Sequence, residues 1–225
     1  DLVVAAPNEG GITIASSATT HRGIMAFADA TSGDGRYAGY VAYNHNTDAM
    51  SFHGGGVGTK NMEIDTAGHV TMPKQSSVSA YLSNDQSNIT ADAQWNTIAW
   101  DSERYDVNGD FNNTSGSVTL NGVSTGAYSF CAPVTGKYLV CVNLYLKNTD
   151  SVADFLQMAV NTANKAYYTV FDTDVSTDSA FWDMQWSGIA DFDAGDTMNV
   201  LIRQSGGSAQ TDIDGQSTLT IALLH

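Results

Sequence analysis

Gly122-Val123-Ser124-Thr125-Gly126 has the G-x-S-x-G spacing of a nucleophile elbow, in which a serine sits on a sharp turn between a strand and a helix. An apolar strand precedes it, but no helical pattern follows, and His225 at the terminus is the only histidine downstream. The run reads as a turn between two strands. Asp106-x-Asn108-x-Asp110 opens like a calcium loop, yet its glycine stands at the fourth position instead of the sixth and no Glu stands at the twelfth. A plain turn is favoured. Gly54-Gly55-Gly56-Val57-Gly58-Thr59-Lys60 is not a phosphate loop, because the Lys follows the Thr and no helix pattern comes after it. It reads as a hairpin tip. Glycosidase carboxylates could be chosen many ways from 24 acids, and no pair stands out. The chain is therefore not expected to be an enzyme.

Cys131 and Cys141 are too few for a disulfide framework and lack zinc-site spacing, so two partly buried strand thiols are expected. The five histidines never pair as H-x-H or with a cysteine, which argues against a dedicated transition-metal site. Asn88-Ile89-Thr90 and Asn112-Asn113-Thr114 are glycosylation sequons that matter only in a secreted eukaryotic protein. Trp95, Trp100, Trp182 and Trp186 supply either a sugar-stacking platform or core and interface area; Trp182 and Trp186, four apart, share one strand face.

The elements that must position these residues are strands. Hydrophobic residues make up 42% of the 225, charged ones only 15%, and glycine (21) far exceeds proline (3), a profile that suits a β-rich chain with a real core. The net charge of −15 repels a phosphate backbone, so nucleic acid is not an expected partner. Residues 79 to 225 carry −12 of that charge and residues 1 to 78 only −3. No apolar run approaches the roughly 20 residues that span a bilayer, so membrane insertion is not expected, and no basic-flanked signal segment is visible. Asp1 in place of Met points to a piece of a longer protein.

MPKQSSV at 72 to 78 separates a Gly-rich region from one dense in aromatics. Before it lie short strand candidates at 11 to 15, 23 to 28, 39 to 43, 50 to 52, 62 to 64 and 69 to 72, each bounded by Gly, Asn or Asp. They carry few bulky side chains and could hardly bury a stable core alone, so identical chains are the simplest partners. Periodicity does not choose three copies over two. After residue 78 come ten longer candidates, at 79 to 82, 96 to 101, 117 to 121, 128 to 132, 137 to 147, 154 to 160, 166 to 171, 181 to 186, 198 to 204 and 217 to 224. Ten strands without a convincing helix imply a sandwich or barrel. Val140, Val142, Leu144 and Leu146 alternate on one face of the fifth, which marks it as a core strand.

The run ITIASSATTHRGIMAFADATSGDGRYAGYVAYNHNTDAMSF, followed by Met62-Glu63-Ile64-Asp65-Thr66-Ala67-Gly68-His69-Val70, resembles a segment common in phage tail fibres and related prophage proteins. The resemblance implies a trimeric fibre of the virion, with residues 1 to 78 as an intertwined β shaft segment. Tyr105-Asp106 with Gly109 and Phe111, then Phe130-x-Ala132-Pro133-x-x-Gly136-x-Tyr138, then Ala194-Gly195-Asp196 and the terminal Leu223-Leu224, resemble the trimeric jelly-roll superfamily of complement globular heads and tumour necrosis factor. That implies a homotrimeric jelly-roll β-sandwich over residues 79 to 225, each chain partnered by two identical copies.

In such heads both termini sit at the base, so the far end does the binding. Counting back from a last strand that descends to the base at 217 to 224, the connections 148 to 153, 172 to 180 and 205 to 216 fall at the far end. They hold Asp150, Asp172, Asp174, Asp178, Asp212 and Asp214 and no Lys or Arg. Carboxylates about 6 Å apart repel by roughly 0.7 to 3 kcal/mol, so such a tip is either a solvated acidic surface or a site for calcium, with Asp172, Asp174 and Asp178 as the candidate ligands. The expected function is attachment to a host surface polysaccharide or protein by these loops. The alternatives are a structural trimerisation cap or head-fibre decoration, a polysaccharide-degrading tailspike, and a cellular adhesion protein with a complement-like head.

Overall fold

The computed structural model describes residues 11–88, 93–173 and 177–225. The chain divides into two compact units, Asp1–Gln75 and Ser76–His225. The first is built on one antiparallel sheet of β1 (Arg22–Phe27), β2 (Gly39–Asn44), β3 (Ala49–Gly54), β4 (Lys60–Ile64) and β5 (Val70–Thr71), paired in sequence order. Residues 11–15, expected as a strand, are not one; they are exposed. Period-two alternation gives this sheet two unlike faces. On one, Tyr40, Ala42, Ala49 and Ser51 are buried; Tyr37, from the short turn of helix at Asp34–Tyr37, meets Tyr40 edge-on with ring centres 5.8 Å apart. His53 stacks on the Tyr40 ring at 4.1 Å, and burial, with Arg22 nearby, pulls its pKa below the usual histidine range. On the other, the rows Met25-Val41-Phe52-Met62 and Tyr43-Met50-Ile64-Val70 run across four strands each. Met25, Tyr43, Met50, Phe52 and Val70 in those rows are exposed. The glycines of 54 to 60 do form the tip between β3 and β4, with Gly55, Gly56 and Gly58 all at positive φ.

The second unit contains β6 (Ser77–Tyr81), β7 (Asn96–Thr97), β8 (Ser102–Asp106), β9 (Phe111–Asn112), β10 (Val118–Leu120), β11 (Val123–Thr125) and β12 (Ser129–Cys131). The long strands follow: β13 (Gly136–Thr149), β14 (Ala153–Thr162), β15 (Ala166–Asp172), β16 (Ser179–Phe192), β17 (Thr197–Gly206), then β18 (Asp212–Ile213) and β19 (Thr218–Leu223). Each expected strand is present at least in part. The candidate at 96 to 101 shrinks to Asn96–Thr97, although Ile98 and Trp100 beyond it are fully buried. The four unexpected strands, β8, β9, β11 and β18, are short or polar and exist because a neighbour offers its edge.

One sheet has the order β15-β14-β17-β12-β9, with β7 also on β17; the other is β16-β13-β19-β6-β8, with β18 also on β13. The chain crosses from one sheet to the other at most connections, the β14–β15 hairpin staying within one, which makes this a jelly-roll sandwich. The core between them takes alternate residues: Tyr138 to Leu146 at even positions of β13, Leu156, Met158 and Val160 of β14, Met198, Val200 and Ile202 of β17, and Leu219 and Ile221 of β19. Phe130, Tyr138 and Phe192 form a mutual edge-to-face trio with ring centres 5.1 to 5.9 Å apart. Ala132 is fully buried, and a Cβ at Gly136 would lie 2.6 Å from the His225 carbonyl oxygen. Core contact and close backbone approach thus account for the spaced Phe, Ala, Gly and Tyr of that motif.

At the side of the sandwich Trp182 stacks on Phe171 and Trp186 meets Tyr167 at a tilt, ring centres 4.3 and 4.9 Å apart, closing the gap between β16 and β15. Cys131 is buried on β12 and Cys141 half-buried on β13; both thiols are free. Ser77 pairs with Ala222, so both ends of this unit lie at one end of the sandwich.

Candidate functional site

The serine of the elbow-like run lies on a strand. Asn121 and Gly122, both at positive φ, make the two-residue turn between β10 and β11, and Ser124 pairs with Thr119 in the middle of that hairpin. Only the first glycine belongs to a turn, and no helix follows; β12 does. The Asp106 carboxylate accepts the backbone N–H groups of Gly109, Asp110 and Phe111 at 2.9 to 3.0 Å, which fastens a turn. Asp110 is buried and accepts the Ser76 hydroxyl at 2.6 Å and the Asn121 amide at 3.1 Å. Asn112 of the second sequon is buried, its amide donating to the carbonyls of Gly116, Thr125 and Gly126.

The described residues of the connections 148–153, 172–180 and 205–216 gather at the end away from the paired termini. The register requires it, because β13 begins opposite Phe192 and Leu223 and ends opposite Ser179. What the aspartates do there is set by hydrogen bonds. Asp150 is only 3% exposed: one oxygen accepts the Ser208 and Ala209 N–H groups at 2.6 and 2.7 Å, the other that of Val152 at 3.0 Å. Burial pushes its pKa up, but these N–H groups outweigh it and hold the carboxyl below the usual range. Gly207, at φ +96°, lets the chain pass here, since a Cβ would come within 2.7 Å of that carboxylate. Asp178 accepts the Ser151 hydroxyl at 2.6 Å and its N–H at 3.0 Å, which also lowers its pKa.

Asp212 accepts the Asn88 N–H at 2.7 Å and the Asn148 amide at 2.8 Å. Asp214 is buried, and Lys147 bridges it to Asp85 with Nζ 2.5 and 2.8 Å from the two carboxylates. Those two bonds raise the Lys147 pKa, and the Lys147 bond together with the Gly215 N–H lowers that of Asp85. Gln204, buried beneath, accepts from the Thr211 N–H and hydroxyl and donates to the carbonyls of Gly206 and Ala209. The four described acids of this set other than Asp172 therefore tie the connections to one another, two of them from buried positions. Asp172 is exposed at the end of β15, and Asp174 lies outside the described residues. Among the described residues no group of three His, Cys, Asp or Glu side chains is arranged to hold a metal.

Sequence reasoning missed Lys147, Asp85 and Gln204. Lys147 lies one residue before the connection, inside a strand, and its partners are 62 and 67 residues away in sequence. The only signal was that Lys147 shares with Asn143 the face of β13 opposite its apolar one.

No family model and no curated protein sequence matches the chain. Among solved structures, the globular domain of zebrafish complement 1qA protein is similar at 13% identity with a TM-score of 0.46, over 67% of this chain and 98% of that one. Crystal structures of murine APRIL are similar at 12% and 13% identity with TM-scores of 0.44, over 67% of this chain and all of theirs. By its own strand order this chain is all-β, with a jelly-roll sandwich over Ser76–His225.

Proposed function

We propose that the chain is the C-terminal part of a phage tail fibre, that three copies associate, and that the jelly-roll unit attaches the virion to the host cell surface. The observation that carries the association is the bare apolar face of the first sheet. Met25, Tyr43, Met50, Phe52 and Val70 stand exposed there, and Ile14, Gly23, Met25, Val41, Tyr43, His45 and Met50 line an open groove of about 360 Å³. Covering one such side chain is worth about 1.5–3 kcal/mol, and identical copies are the partners always at hand. The resemblance to tail fibres over most of residues 11 to 72 supplies the threefold number and the virion.

Sedimentation equilibrium of the purified chain tests the assembly: a mass near three times 23.9 kDa is expected, and a single-chain mass at micromolar concentration would sink it. Attachment is tested by pre-incubating host cells with the purified protein, which is expected to block adsorption of the virion that carries it.

The rival reading, a structural cap, has one observation in its favour. Asp150, Asp178, Asp212 and Asp214 place their carboxylates in bonds that hold the tip together. A protein that neither labels host cells nor competes with adsorption supports the cap.

A further inference from the structure

The outer face of β15, β14 and β17 carries a cluster that the tip does not use. Leu156, Met158, Val160, Val200 and Ile202 point into the core, so odd positions of β14 and β17 point out. Arg203 of β17 lies opposite Gln157 of β14, which lies opposite Val170 of β15. The Arg203 Nε–H donates to the Gln157 amide oxygen at 2.8 Å. Its guanidinium carbon lies 4.7 Å from the Trp95 ring centre and 5.5 Å from that of Phe155. Trp95 also approaches Tyr168, ring centres 6.0 Å apart, so the indole reaches from β17 across β14 to β15. Ala159, which pairs with both Tyr168 and Leu201, is small and only 2% exposed although it faces outward. Around this shallow floor Trp95, Tyr168 and Val170 remain 36%, 57% and 59% exposed.

Arg203 meets no acid among the described residues, as is also true of Arg22, Arg36, Arg104 and Lys165; what sets Arg203 apart is that its guanidinium lies against two rings, Trp95 and Phe155. A guanidinium held against two rings, with no carboxylate partner among the described residues, is preorganised to grip a carboxylate. In a chain of net charge −15 it is the local feature that lets an anion settle at all. The acids on the same face lie toward the tip: Asp172 faces Phe155, and Asp154 accepts the Ser205 hydroxyl at 3.2 Å.

We propose that this face is a glycan subsite for a sugar bearing a carboxylate, such as a uronate or sialate. The sugar ring stacks on Trp95 and Tyr168 and its carboxylate bonds Arg203. Aromatic faces suit the C–H side of a sugar, and the guanidinium supplies selectivity for the acidic one. This rests on the host-surface reading and moves its binding residues from the tip loops to the side of the sandwich.

The test uses the full chain on an array of uronate- and sialate-bearing oligosaccharides, each beside its carboxyl-reduced counterpart. Saturable binding of a carboxylated member is expected, about tenfold weaker in Trp95→Ala and largely retained in Trp95→Phe. Arg203→Gln is expected to remove the preference over the reduced form, with melting curves of all variants close to the parent's. No carboxylated glycan bound by the parent, or undiminished binding by Trp95→Ala and Arg203→Gln, overturns the proposal. Host-cell labelling separates the two readings. Parent and Trp95→Ala labelling cells equally and well above background leaves attachment standing and removes this subsite. A parent that binds the glycan but labels no cell does the reverse.

Discussion

The two units use the same alternation to opposite ends. In the jelly-roll unit the apolar side of each sheet finds the apolar side of the other, and Phe130, Tyr138, Leu144 and Ile202 are sealed completely. In the first unit Met25, Phe52 and Val70 lie on an equally regular apolar side, and no described element of that unit covers it. Alternation creates apolar faces; whether a face is core or interface depends on how much chain follows to cover it. The five-stranded sheet has no second layer among the described residues of its unit, while twelve of the other unit's fourteen strands make two.

That contrast can be broken by substitution. The largest effect is expected from Phe130→Ala, which opens the aromatic trio and should lower the stability of the jelly-roll unit by about 3–5 kcal/mol in denaturant melts. Lysine at Met25 and Phe52 together should leave the first sheet folded. It should weaken self-association by about 3 kcal/mol per interface, on the order of a hundredfold, seen as a fall in sedimenting mass. If those lysines instead unfold the sheet without changing mass, the face is not an interface.

Smaller effects sharpen what holds the tip. Asp150→Ala leaves the Ser208 and Ala209 N–H groups without their acceptor and should cost about 2–3 kcal/mol. Because the Asp150 carboxyl is held below its unfolded value of about 3.9, its contribution is full above that pH and is lost as pH falls through the folded value. Melting temperature should therefore drop below about pH 4, and drop less steeply in Asp150→Asn. The smallest effect is expected from Gly122→Ala. An added Cβ meets nothing there, so the cost is the positive φ alone, about 1 kcal/mol by thermal melting.

Much of this architecture is legible residue by residue. Val140 to Leu146 announce a core strand by alternation, and MPKQSSV marks a change of unit that the contacts place at Gln75 and Ser76, since Ser77 and Val78 already pair with β19. Counting strands from the C-terminus suffices to find which connections share an end. Strands such as Ser102–Asp106 and Phe111–Asn112 were not legible, because a short polar segment becomes a strand only when a partner edge lies alongside. Nor were the duties of the aspartates, which look alike in sequence.

The sequence by itself determined the strand periods, a sandwich or barrel class, the acidity and the gathering of three Asp-bearing connections, since these depend on local alternation and on chain order; the jelly roll was implied only by the resemblance. Only the tertiary structure decided that Asp150 and Asp214 turn inward, that Lys147 neutralises one of them, and that Trp95 and Arg203 meet on an outer face. Trp95 and Arg203 are 108 residues apart, and nothing local couples them. Hydrogen bonds and ring contacts between distant residues form only after the sheets are paired, so the choice between a surface acid and a buried tether belongs to the packed molecule.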